Sequence, residues 1–314
     1  MSVESMTPVV AVPAAPGPAL SRVVDVNCGW GATTAALEWK DVGVVRAALG
    51  ARGIGHAFLS ASLSRRYDLA AGNDALAGAL DQSAGGGTEL HGWLVIHPAR
   101  AADSNVLMRK HLYNPRFVGA ALFPDPITGA PVTQRETLDL INSFRRYARP
   151  LLIETPTAEA MAHAVQIADT LGSIKVIASG MGGDEWHEAI PMTAHLLNLY
   201  LDISGALVPE KITYAISLLH GTRKLLFASR APQTDPAAVL GMLDDLSLSG
   251  EDREKILVTN ASRLFHLGPA AEAPTALAPI PFGGALPAPA PDVLSDLLAT
   301  LGQSENDGSR EPAG

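Results

Sequence analysis

The chain has 314 residues, 47% of them apolar and 18% charged, which suits a globular protein and excludes wholesale disorder. Its 23 basic and 32 acidic residues leave a net charge of −9, so neither nucleic acid nor an anionic membrane surface is an expected partner. The single cysteine, Cys28, excludes an intrachain disulfide and a CxxC zinc site. No apolar run reaches the roughly 20 residues of a membrane helix, and Pro8, Pro13, Pro16 and Pro18 interrupt an N-terminal stretch with no Lys or Arg before Arg22. A secretory signal is not expected, and the sequence reads as cytoplasmic.

Residues 1–21 are expected to form a disordered tail, because their prolines fix φ and remove donors. From 22 to 267 the chain alternates short apolar runs with stretches of 3.6-residue periodicity. The runs are RVVDVN (22–27), HAFLSAS (56–62), LHGWLVIH (90–97), FVGAALF (117–123), PLLIET (150–155), IKVIAS (174–179), LNLYLDIS (197–204) and KLLFAS (224–229). The helical stretches include DVGVVRAALGARG, NDALAGALDQS, AEAMAHAVQIADTLG and PEKITYAISLLHG, several opening at Asp, Thr or Pro and closing at Gly. Eight strand–helix repeats predict a single (β/α)₈ barrel of the TIM type over 22–267. The alternative, a doubly wound open sheet, needs fewer strands and usually a GxGxxG loop, which is absent. Residues 268–314 form a second Pro/Ala-rich tail. Within it, 291–302 places Val293, Leu294, Leu297, Leu298 and Leu301 on one helical face, either folding back onto the barrel or serving as a docking segment.

In such a barrel the chemistry sits at the C-terminal strand ends and the loops beyond them. Those positions hold Asn27, Cys28, Gly29 and Trp30 after the first run, Ser60 and Ser62 after the second, His97 after the third and Asp125 after the fourth. Glu154 and Thr155, then Ser179 with Gly180, Gly182 and Gly183, then Asp202 and Ser204, then Ser229 and Arg230 follow in order. Polar side chains at the mouth of an apolar barrel need partners, since burying them unpaired is costly.

RVVDVN, VIASGMGG, LYLDIS, KLLFASRAPQTDP and DREKILVTNASRLF together resemble the amidohydrolase-related group of the amidohydrolase superfamily. The resemblance implies a barrel carrying metal-dependent hydrolysis or decarboxylation, with ligands His-x-His on strand one, His on strands five and six and Asp on strand eight. On this chain those positions fall at Asn27 and Gly29, Glu154, Gly180 and Arg230. An amide, a carboxylate, two glycines and a permanent cation are not a zinc ligand set, so no metal is expected at the mouth. Lactone hydrolysis without a metal is known among relatives of the group.

Because the family's counterparts of Glu154 and Arg230 converge on one ion, their heads are expected to meet. They would form either a structural ion pair or an anion-binding site with Arg230 as electrophile and Glu154 as acid or base. Asp202 and His97 are further candidate catalytic groups, each open to a structural reading as a loop cap or a hydrogen-bonded histidine. Asn27, Trp30, Ser179 and Ser229 are candidate substrate-binding residues. Cys28 is either a nucleophile or a small buried hydrophobe, and the glycines of SGMGGDE could cradle an anion at a helix start capped by Asp184. Trp93 and Trp186 read as core or rim. No nicotinamide, flavin or pyridoxal signature is present, so no cofactor is expected. Two readings result. One is a metal-independent hydrolase of a small anionic substrate; the other is an inactive homologue acting as a binding or scaffolding subunit, as a homo-oligomer or in a hetero-complex.

Overall fold

The computed structural model describes residues 23–32, 37–82 and 87–267. The expected tails, 1–21 and 268–314 with its 291–302 segment, lie outside them. Eight strands are formed: β1 (Val23–Trp30), β2 (Ile54–Ala61), β3 (Glu89–Val95), β4 (Phe117–Leu122), β5 (Leu151–Glu154), β6 (Val176–Ser179), β7 (Leu199–Asp202) and β8 (Leu225–Leu226). They run in sequence order, each parallel to the next. Closure is made by three backbone bonds between the β8 segment and β1: Val26 N to Phe227 O (3.0 Å), Arg230 N to Asn27 O (2.9 Å) and Gly29 N to Ala231 O (2.7 Å). With helices between the strands, this is a (β/α)₈ barrel.

Local chemistry places the helices. After β1 comes α1 (Val42–Gly50), with Asp41 accepting from Val44 N. The short α2 (Ser62–Arg66) follows β2 directly, then α3 (Leu69–Asp81), whose Asp68 cap accepts from Ala70 N and Ala71 N. Helix α4 (Ala101–His111) follows β3, and α5 (Gln134–Phe144) starts at Thr133, which accepts from Glu136 N. Helix α6 (Ala158–Leu171) starts at Thr157, and the short α7 (Trp186–Ala189) lies between β6 and β7. Helix α8 (Pro209–Leu218) opens on a proline, and α9 (Pro236–Asp244) is capped by Asp235. The DREKILVTNASRLF segment is helical throughout, as α10 (Gly250–Glu254), a π-helical turn (Lys255–Thr259) and α11 (Asn260–Phe265).

The strands read as near-continuous buried runs because helices cover the barrel's outside and side chains fill its inside. At the N-terminal end, Phe58 of β2 and Trp93 of β3 pack against Phe265 of α11, the first ring tilted and the second edge-on, with centroids 4.4 and 5.7 Å from the latter. The barrel is therefore filled from below by the last described helix. Several strands are shorter than their apolar runs, the eighth most of all: KLLFAS yields only Leu225–Leu226, and beyond it the chain runs to Arg230, whose φ is +61°, held to β1 by the three closure bonds.

Candidate active site

The mouth gathers Asn27, Gly29, Arg65, Arg66, Glu154, Gly205, Arg230, Gln233 and Thr234 around a cavity of about 430 Å³. Glu154, the last residue of β5, is largely buried and stands between two guanidinium groups. Its Oε1 lies 2.7 Å from Arg230 Nη2, and its Oε2 accepts a hydrogen bond from Arg65 Nη2 at 3.2 Å. The Arg230 contact is an ion pair outside hydrogen-bond geometry, and the buried Arg230 Nε has no hydrogen-bond partner among the described residues. Arg230 is aimed at Glu154 by its left-handed backbone, fixed through Arg230 N donating to Asn27 O.

Arg65 comes from α2, which packs on α3 where Gly72 gives way: a Cβ there would lie 2.3 Å from Ser64 N. Its guanidinium rests 3.7 Å from the Phe123 ring centroid, a cation–π contact that holds it over the mouth. Burial lowers Arg65 below its ordinary range while Glu154 opposes the change, and a guanidinium starts high enough to stay a cation. Sequence reasoning missed Arg65. Its signal, the pair Arg65–Arg66 just past a strand end, was there to be read.

The floor is a hydrogen-bonded polar layer. Asn27 Nδ2 donates to Ser179 Oγ at 2.8 Å, and Ser179 Oγ lies 3.4 Å from Ser204 Oγ. Asp202 Oδ1 accepts from Gly180 N (3.0 Å), Ser204 N (3.1 Å) and the Ser204 hydroxyl. Its Oδ2 is buried without a hydrogen bond among the described residues. Lys211 of α8, fully buried and also absent from the sequence reading, donates from Nζ to Ser204 O at 2.8 Å. Burial brings it down to about 8, with Asp202 opposing and Arg230 adding to the shift. Beneath Arg230, the buried Asp25 accepts from Ser229 N (3.0 Å), the Ser229 hydroxyl and Asn27 N (3.3 Å). Burial pushes Asp25 up to about 6 despite these bonds.

The candidates thus fall into groups. Glu154, Arg230 and Asn27 line the mouth cavity, while Ser179 and Asp202 lie in the buried floor. Ser229 is buried, its hydroxyl donating to Asp25 and accepting from Ala231 N. Trp30 lines a separate hollow against α1 and α3. His97 caps a short turn, its Nδ1 accepting from Ala99 N, and borders a hollow of about 380 Å³ with Phe123 and Asp125. Neither Trp30 nor His97 joins Glu154 and Arg230. Cys28 is buried beside Ser229 Oγ at 3.8 Å, and burial raises its thiol well above the ordinary value, so it behaves as a small core residue. Asp184 does not cap a helix: the turn at 183–185 begins at Gly182 with φ +89°, and the nearby Glu185 instead accepts from Ala158 N.

A second cluster lies at the opposite end of the barrel. His56 of β2 and Glu89 and His91 of β3 bring one ligand atom each within 4.8 Å of one another.

Residues 68–267 match the amidohydrolase family, and the chain belongs to it. No curated protein matches. Among solved structures, a dihydroxybenzoic acid decarboxylase from Polaromonas with bound manganese and 2-nitroresorcinol has a TM-score of 0.63 at 16% identity, covering 79% of this chain and 97% of that one. A 2,6-dihydroxybenzoate decarboxylase from Rhizobium has a TM-score of 0.59 at 15% identity, covering 78% and 99%. A protein from Acinetobacter baumannii described as a probable 2-pyrone-4,6-dicarboxylic acid hydrolase, with citric acid bound, has a TM-score of 0.58 at 14% identity, covering 78% and 100%. These likenesses establish the fold. Among the described residues no helix is long and apolar enough to cross a membrane.

Proposed function

We propose that this amidohydrolase-family barrel cleaves a C–O or C–N bond of a small anionic substrate at its mouth, without a metal there. The observation that carries the reading is the placement of Glu154 between the Arg65 and Arg230 guanidinium groups in a cavity of substrate size. The donor set does not fit the divalent ion that the family implies. Glu154 is the one strong ligand among Asn27, Gly29, Glu154, Gly180 and Arg230, and a cation already stands 2.7 Å from it. A Cβ on Gly180 would lie 3.1 Å from Arg230 Nη2, so the guanidinium occupies the space next to the strand-six position.

In this reading one arginine head holds a substrate carboxylate, and the other faces the carbonyl oxygen that becomes an oxyanion. A water attacks the carbonyl carbon while Glu154 takes its proton. The tetrahedral intermediate then collapses, the bond to the leaving oxygen or nitrogen breaks, and Glu154 returns the proton to the departing atom. The buried Asn27–Ser179–Ser204–Asp202 layer keeps the floor fixed.

The test is turnover of a panel of carboxylated lactones and amides by chelator-dialysed protein, read alongside anion binding. Activity without added metal that falls by about 100-fold or more in Arg230→Met and Glu154→Gln supports the reading. Activity that appears only with added divalent ion overturns it. Carboxylate binding without any turnover would favour the binding-subunit alternative.

A further inference from the structure

We propose that the N-terminal end of the barrel binds a divalent transition ion of the zinc class through His56, Glu89 and His91. The site is independent of the mouth and of the function proposed there. Strand register builds it. His56 pairs with Glu89 across β2 and β3, and Glu89 and His91, two residues apart on one strand, point to the same side. His56 continues inward to Phe58 and His91 to Trp93, so the imidazoles form the lowest inward-facing layer, with the His91 ring stacked 4.8 Å from Phe58.

The distances suit one ion. His56 Nδ1 and His91 Nε2 lie 3.2 Å apart, and the Glu89 oxygens lie 3.5 Å from the first and 3.9 Å from the second. Two nitrogens each about 2.0–2.1 Å from zinc at a near-tetrahedral angle stand roughly 3.3 Å apart, and a carboxylate oxygen at about 2.1 Å adds a similar edge. Two imidazole nitrogens facing each other satisfy each other only if one carries the proton; with an ion between them both lone pairs are used. Two imidazoles and one carboxylate are a ligand set that zinc and its neighbours accept, and the position left open faces a cavity of about 830 Å³. Arg149, Lys175, Arg223 and Arg263 line that cavity. Their positive field weakens binding of a bare cation and favours an anion as the fourth ligand, which sets the affinity below that of a four-ligand structural site.

The experiment uses the full chain, free of affinity tags and dialysed against chelator, titrated with zinc chloride by calorimetry and with cobalt(II) by visible absorption. One equivalent bound with a Kd of about 10 μM or tighter, and a cobalt spectrum of tetrahedral type, is the expected result. Binding should weaken about tenfold or more in His91→Ala and in Glu89→Gln. Glu89 is 64% exposed, so Glu89→Gln keeps the fold and decides the matter if the histidine variant does not fold. No binding tighter than about 100 μM, or binding unchanged in Glu89→Gln, overturns the proposal.

Discussion

The two ends of this barrel present opposite chemistries on the same scaffold. At the mouth, Arg65, Arg66 and Arg230 surround a single carboxylate, Glu154. At the base, two imidazoles and a carboxylate converge from adjacent strands. A guanidinium is always charged and repels a metal ion, whereas a neutral imidazole offers it a lone pair. On the two proposals above, the same eight-stranded frame takes an anion at one end and a metal ion, with an anion beside it, at the other. Ligand preference in this fold is set by which side chains the strand ends carry, not by the frame.

Four measurements would break or sharpen this contrast. The largest effect is expected under the mouth, at Asp25. Its carboxyl stands near 6 when folded against an ordinary 3.8, so the folded protein holds that proton more tightly than the unfolded chain. The contribution to stability is present below about pH 4 and is lost as pH rises through about 6, a change of about 3 kcal/mol. The unfolding free energy of the native protein minus that of Asp25→Asn should fall by most of this amount, about 2.4 kcal/mol, between pH 4 and 7. A flat difference would show that the floor is not a dry carboxyl site.

Next come the mouth ion pairs. Their heads are partly exposed, which places the loss between the roughly 1 kcal/mol of a surface pair and the 3–5 kcal/mol of a buried one. Glu154→Gln leaves Arg65 and Arg230 facing each other uncompensated and should cost about 2 kcal/mol in denaturant unfolding. Arg230→Met leaves Glu154 its Arg65 partner and should cost less, with the double variant recovering part of the sum. Additive losses would mean that the 2.7 Å contact contributes nothing.

Gly180→Ala comes third. Its φ of +96° and the 3.1 Å approach of Arg230 Nη2 put strain on any side chain there, lowering stability by about 1–2 kcal/mol, readable as a lowered Tm. An unchanged Tm would open that space to a ligand side chain and weaken the case against an ion at the mouth. The smallest effect expected is the interaction between the two ends. Benzoate at the mouth and zinc at the base should each raise Tm, and together their shifts should add. Strong non-additivity would mean that both ligands use one site.

Much of this architecture is legible in residue order. The apolar runs mark the strands because a barrel strand buried on both faces has no polar alternation to confuse it. The Glu154–Arg230 contact follows from two positions known to converge in the family the sequence resembles. Arg65 was missed because SLSRR is five residues with no apolar period, and its role depends on Phe123 and Glu154, which lie far along the chain. Lys211 looked like one more charge on an amphipathic helix until α8 turned it inward. The base cluster joins residues 35 apart, and the alternation Glu-Leu-His hints at a shared face without naming the partner strand. His97 and Trp30 follow the rule for strand ends, yet His97, in the loop after β3, and Trp30, the last residue of β1, line other hollows.

The clasp between Asp25 and Ser229 spans 204 residues, and with it comes a constraint on synthesis. Strand β1 is the first strand of the barrel to leave the ribosome, and the chain that will cover its outer edge is among the last parts of the barrel to be made. At about 5–20 residues per second, that edge waits roughly 10–40 s with its hydrogen-bonding groups unpaired. Until β8 arrives, a second nascent chain could add to the same edge. The residues that seal the mouth are thus also the ones that end the period of greatest exposure to aggregation.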